Sequence, residues 1–116
     1  MPNTYYRRFL STNERFWDCV DENGPVPQHR PDLGACWIWT GGHVKRYGGF
    51  YFDGSTRLAH HYLVGVPTKG YEWDHLCLNP TCVRPEHLEL VTSAENKRRA
   101  GELFRQRIHC PRGHLL

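Results

Sequence analysis

Between Trp73 and Asn96 the chain carries two sets of polar side chains that a packed core does not require. Cys77, Cys82 and His87 form a C-x4-C-x4-H array, which supplies three of the four soft or borderline ligands of a tetrahedral zinc ion. Threaded through it are Asp74, His75 and Asn96, the side-chain types used in metal-assisted phosphodiester hydrolysis. The fourth zinc ligand must come from elsewhere. Cys36 is best placed, because it opens a strand-like stretch after a flexible loop. Cys19 sits in an amphipathic helix beside Trp17 and is the weaker choice. A Cys3His site would join two distant segments and contribute folding energy directly.

The elements that must position these residues follow from local signals. Ser11-Thr-Asn-Glu14 is a capping box that opens a helix through Val20. Asp21 to Gly34, rich in proline and glycine, is a loop. Cys36 to Thr40 and Gly49 to Asp53 read as strands, with Asp53-Gly54 as a turn. Thr56 to Val64 reads as a short helix. Glu72 to His75 is a strand, Cys77 to Glu86 a loop, and His87 to Val91 a second strand. Thr92-x-x-Glu95 is another capping box, so a helix runs from Ser93 to about Ala100 and stops at Gly101. Strand, loop, strand and helix thus frame both polar sets.

At 116 residues the chain reads as one domain, residues 1–108, with a short basic tail at 109–116. Four Trp, six Tyr and five Phe carry much of its apolar mass, while mean hydropathy is −0.67. A core of this size often needs help from a metal or from disulfides. The five cysteines are odd in number and no leader is evident, which points to a reducing, cytoplasmic setting and to metal rather than disulfide. No apolar run is long enough to cross a membrane. The net charge of +3 is unevenly spread: residues 97–116 carry +5 and the rest −2. A basic end suits a polyanion partner such as nucleic acid, and equally a solvated tail. Cys110-x3-His114 resembles half of a zinc knuckle, and two ligands do not make a site.

Trp37-Ile-Trp-Thr-Gly-Gly, Arg57-Leu-Ala-His, Asp74-His-Leu-Cys and Cys82-x-x-Pro-x-His-Leu-x-x-Val-Thr-x-x-Glu-Asn together resemble the HNH endonucleases. The similarity covers Phe16 to Arg99 and is greatest to the zinc-braced subtype, which is similar to phage HNH and His-Cys box homing enzymes. It implies an α+β fold: a small ββα-metal (His-Me finger) nuclease domain with its core at about 71–100, an added antiparallel hairpin and a structural zinc site. It also implies roles. His75 would be the general base that activates water. Asp74 and Asn96 would bind a catalytic Mg2+, Mn2+ or similar ion. Arg57 would contact the scissile phosphate. His87 falls at the motif's middle letter, which in this subtype is a zinc ligand alongside Cys36, Cys77 and Cys82.

The implied activity is cleavage of DNA in a phage or mobile-element nicking or homing role, and the chemistry is sound near neutral pH. A neutral imidazole takes a proton from water. A carboxylate and an amide oxygen suit a hard cation and leave coordination positions for phosphate and water. DNA contacts would come from Lys97, Arg98 and Arg99 on the metal helix, from Lys45 and Arg46 at the hairpin tip, and from Arg84, which stands before Pro85 where the family usually has Asn. Solvation is an equal reading for Lys45 and Arg46. The rival reading is a zinc-containing DNA-binding module without catalysis. No dimer interface is legible, so monomer and homodimer both stay open.

Overall fold

The computed structural model describes residues 10–108, so Cys110 and His114 lie outside the described residues. The chain divides into two compact units. The first comprises the residues up to 66 together with 75–88; the second comprises 67–74 and the residues from 89 onward.

The first unit opens with α1 (Thr12–Asp18). Its capping box is complete: the Glu14 amide donates to Ser11 Oγ at 3.1 Å and the Ser11 amide to Glu14 Oε1 at 3.0 Å. The helix stops at Asp18, two residues short of the sequence expectation, because Val20 is taken by a sheet. β1 (Val20–Asp21) pairs antiparallel with β2 (Ile38–Trp39), Val20 facing Trp39. β3 (His43–Val44), β4 (Tyr47–Phe52) and β5 (Ser55–Leu58) form an antiparallel sheet in that order. Asp53 and Gly54, both at positive φ, turn β4 into β5 in the way two-residue hairpins favour. The residues from Thr56 to Leu58 were expected to be helical, but they pair with Tyr51 to Gly49; the helix α2 (Ala59–Val64) begins only afterwards. Their β-branched and arginine side chains complete a hairpin whose turn had already fixed the register.

Aromatic rings fill this unit. Phe16 is fully buried and meets Trp17, Trp39, Phe50 and Tyr62 at centroid distances of 4.6–5.3 Å. Offset and edge-on contacts of this kind add to the burial of area. Gly48 is required here, since a Cβ would come within 2.6 Å of the Trp39 side chain. β2 also holds the Cys77–His87 loop: the Trp39 amide donates to the Thr81 carbonyl at 3.0 Å, and the Val83 amide to that of Trp37 at 2.8 Å.

The second unit contains most of β6 (Tyr71–His75) and of β7 (Leu88–Thr92), which pair, and α3 (Ser93–Ile108). The Thr92 hydroxyl caps α3 by accepting from the Glu95 amide at 3.1 Å. The reciprocal half of the expected box is replaced by ion pairs from Glu95 to Arg98 and Arg99. The helix runs past Gly101, contrary to the expected stop. A glycine costs a helix interior only about 1 kcal/mol, and pairs at helical spacing, including Glu102 with Arg105, flank it. The described architecture is therefore a small α+β arrangement of antiparallel strands with the strand–loop–strand–helix order expected.

Phe16→Ala should destabilise the first unit by about 3–5 kcal/mol, the range for emptying a buried aromatic site. Urea unfolding followed by tryptophan fluorescence measures this, and a loss below about 1 kcal/mol would contradict the central place given to this ring.

Candidate metal centre and catalytic residues

The loop between β6 and β7 is built to turn side chains inward. Leu78 adopts a left-handed backbone (φ 61) that lets its amide reach the His75 carbonyl at 3.0 Å. Asn79 Oδ1 accepts from the amide and hydroxyl of Thr81 at 3.1 and 2.8 Å, closing a side-chain turn. Cys77, Cys82 and His87 are thereby buried together with Cys36, and the ligand atoms of all four lie within 4.8 Å of one another. A tetrahedron with ~2.3 Å zinc–sulfur bonds has edges of roughly 3.8 Å, so this donor set is near coordination size. His87 Nε2 lies 2.8 Å from the Leu33 carbonyl. That oxygen can only accept, so Nε2 carries the proton and the Nδ1 lone pair faces Cys36 Sγ at 3.6 Å and Cys82 Sγ at 3.5 Å. Cys36 is where the sequence placed the fourth ligand. Cys19 packs instead in the aromatic core.

The electrostatics of the cluster suit a cation. The bond from Cys77 lowers the Cys82 thiol, the same bond followed by burial pushes Cys77 up, and burial pushes Cys36 up. Three thiols this close repel one another when ionised; a divalent ion would remove that conflict by stabilising all three thiolates. The donor set therefore fits a structural metal such as zinc.

His75, the last residue of β6, is buried with its Nε2 3.1 Å from the Cys82 carbonyl. By the same logic Nε2–H donates, and the lone pair of the neutral ring is on Nδ1. The imidazole lies edge-on to His60 (4.9 Å between centroids) and beside Tyr47 (5.9 Å). Burial, then the charges of His75 and His61, lowers His60 to about 3, so it is neutral near pH 7. These two neighbours were not legible as site residues: nothing in the spacing of His60 or Tyr47 marked them. His29 was also missed. It sits in the proline loop, with Nε2 2.9 Å from the carbonyl of Leu76, the residue between His75 and Cys77.

The cations of this unit have specific placements. Arg57 donates to the carbonyls of Phe52 and Asp53 at 3.3 and 3.2 Å and lies over the Phe52 ring. Arg84 donates to the Ala35 carbonyl at 2.8 Å, pairs with Glu86 and stacks on Trp37, which braces the turn before Pro85. Lys45, at positive φ, and Arg46, over the Tyr47 ring, are exposed at the β3–β4 tip.

In the second unit, Glu72 and Asp74 are two apart on β6 and so share a face. Asn96 and Arg99 are three apart on α3 and do likewise. Asn96 Nδ2 donates to Glu72 Oε1 at 2.7 Å, and Arg99 donates to Asp74 Oδ2 at 2.9 Å. Arg99 also meets Glu89 at 2.6 Å and Glu95 at 2.8 Å. Bonds from Arg98 and Arg99 lower Glu95 to about 2, and the Asn96 amide, with Ser93, lowers Glu72. The face holding both expected ligands of the catalytic ion, Asp74 and Asn96, is thus one packed contact. Lys97 is exposed on the same helix.

Two outcomes follow. Purified protein should contain one zinc per chain, and a strong chelator should lower its melting temperature; a metal-free protein with unchanged stability would exclude the structural role. His60, held near 3 in the fold, ordinarily titrates near 6.5 in an unfolded chain. The unfolded state therefore gains a proton first as pH falls, and stability that is whole above about 6.5 declines by up to about 1.4 kcal/mol per unit towards 3. His60→Phe should flatten that decline in urea midpoints measured between about pH 7.5 and 4.5.

A family model described as HNH endonuclease matches residues 56–98. A phage protein, "Protein 2.8" of Escherichia phage T7, is 35% identical over 64 residues, covering 53% of this chain and 46% of that protein. The match thus spans about half the relative's length. No solved structure matches. The matched stretch runs from β5 through α2, β6, the Cys/His loop and β7 into α3 and includes His75, three of the four clustered Cys and His donors and Asn96, so over residues 56–98 the chain is similar to the HNH endonuclease family.

Proposed function

We propose that this chain is a metal-dependent endonuclease that hydrolyses DNA phosphodiester bonds and leaves 5′-phosphate and 3′-hydroxyl ends. The observation that carries this reading is the bond from His75 to the Cys82 carbonyl. His87 is fixed in the same way for a metal-ligand role, but His75 stands outside the clustered metal donors. A general base needs a fixed tautomer, because its proton-accepting nitrogen must be specified before water arrives. The carbonyl belongs to a residue of the Cys/His cluster, so the structural metal, zinc in this reading, would orient the base indirectly.

His75 takes the proton from the attacking water at Nδ1. Asp74, next to it in the chain, and Asn96 offer carboxylate and amide oxygens, the donors that Mg2+ or Mn2+ prefers. Such an ion, when bound, supplies charge stabilisation at the phosphate and the leaving 3′ oxygen. Arg57 is the nearest reading for a phosphate-contacting cation, and it would have to leave the β4–β5 turn carbonyls to act. Lys97, Lys45 and Arg46 are the cations best disposed to meet the DNA backbone, whereas Arg84, Arg98 and Arg99 are held by internal acceptors. Among the described residues no helix is long and apolar enough to cross a membrane.

Plasmid nicking in Mg2+ or Mn2+ tests the assignment. His75→Ala should lose at least about 100-fold in rate, the usual worth of a positioned base, while retaining zinc and salt-sensitive DNA binding. Equal cleavage by variant and parent would sink the mechanism. DNA binding without any cleavage by the parent, across divalent ions, would favour the non-catalytic zinc module.

A further inference from the structure

We propose that Glu72 is a positioning residue that fixes which end of the Asn96 carboxamide meets the catalytic ion; this rests on the ion-binding role assigned to Asn96 above. The two termini of an Asn side chain are opposites: the oxygen accepts, while the NH2 group only donates. Turned one way it is a ligand for a hard cation; rotated by half a turn it points positive N–H dipoles at that cation. Free in solvent, the amide samples both. Here it is not free. Glu72 Oε1 lies 2.7 Å from the Asn96 nitrogen. A glutamate carboxylate at neutral pH has only acceptors, so the group bonded to it must be the NH2, and Oδ1 lies at the opposite edge of the planar amide, directed away from the Glu72 oxygen.

The placement of Glu72 supports this. It shares the β6 face with Asp74, and Asn96 shares the α3 face with Arg99. The pairs Glu72–Asn96 and Asp74–Arg99 therefore tie the same two faces together. Each of the two proposed ion ligands thus has its own charged partner: an acceptor for the amide and a donor for the carboxylate. Partners of this kind orient ligands, and losing one typically costs 10–100-fold in metal affinity.

A simple strand-to-helix brace would show the same contact, so the test uses chemistry that a brace does not feel. Glu72→Gln keeps the size but gives Asn96 a partner that both donates and accepts, which releases the amide to rotate. Mn2+ affinity of the full-length zinc-loaded protein, read by electron paramagnetic resonance of the free ion, should fall about 10-fold, with zinc content and melting temperature unchanged. In an Asn96→Asp background both side-chain ends are oxygen and orientation no longer matters. There Glu72→Gln should cause no loss. Equal losses in both backgrounds would reduce Glu72 to a brace and overturn the proposal. So would unchanged affinity in Glu72→Gln when Asn96→Ala abolishes binding. If Asn96→Ala itself binds Mn2+ normally, the ion-ligand reading of Asn96 falls, and this inference with it.

Discussion

The first unit depends on one crowded contact: three sulfurs and an imidazole nitrogen within 4.8 Å of one another, all buried. Water solvates none of them, and their thiolates repel. Such a set is unfavourable unless a cation is shared among them, and with that cation it becomes an anchor. The proline loop reaches it through Cys36 and through the Leu33 carbonyl that receives His87. The β6–β7 connection reaches it through Cys77, Cys82 and His87. Ile38 forms a bridge with Cys82, which ties β2 to the same point. Trp39 of the same β2 strand packs in the aromatic cluster around Phe16, so the two clusters share that strand.

Charge in the second unit is arranged differently. Its arginines look from the sequence like a DNA-facing stripe, yet Arg98, Arg99 and Arg105 bond to carboxylates of the same unit. Arg99 serves three of them, using the fork of donors that distinguishes arginine from lysine. Exposed pairs contribute little individually. Only the bonds of Arg99 to Asp74 and Glu89 tie α3 to β6 and β7; the Arg98 and Arg105 pairs run along the helix itself, which has few apolar residues for packing.

Much of this was legible because the signals are short-range. The capping box at Ser11, the Asp53-Gly54 turn and the strand ending near Val91 are all decided within a few residues, and they appear where expected. The Cys/His cluster was legible because ligand chemistry leaves few candidates: Cys36, which a flexible loop could draw in, was the better choice than Cys19. What spacing could not supply was tertiary choice. Val20 has helix neighbours but finds Trp39 across a sheet. Thr56 to Leu58 carry a helical pattern but lie beyond a turn that commits them to β4. Gly101 resembles a stop only if the ion pairs around it are ignored. In the candidate site, the neighbours of the expected residues were the least visible: Glu72 and His60 look ordinary until the contacts with Asn96 and His75 are seen.

The connection from Leu78 to Thr81 has a consequence for how the chain can vary in length. Leu78 is already in a left-handed conformation, and Asn79 closes its own turn on Thr81. The span therefore has no slack. An insertion there would displace the Cys82 carbonyl from His75 even if both cysteines still found their metal. In the proposed reading folding and catalysis would then separate: the Cys and His donors could still share a metal while His75, the proposed base, lost the acceptor that orients it. Tolerance of insertions belongs instead at the β3–β4 tip, where Lys45 and Arg46 are exposed and none of the clustered Cys and His donors lies.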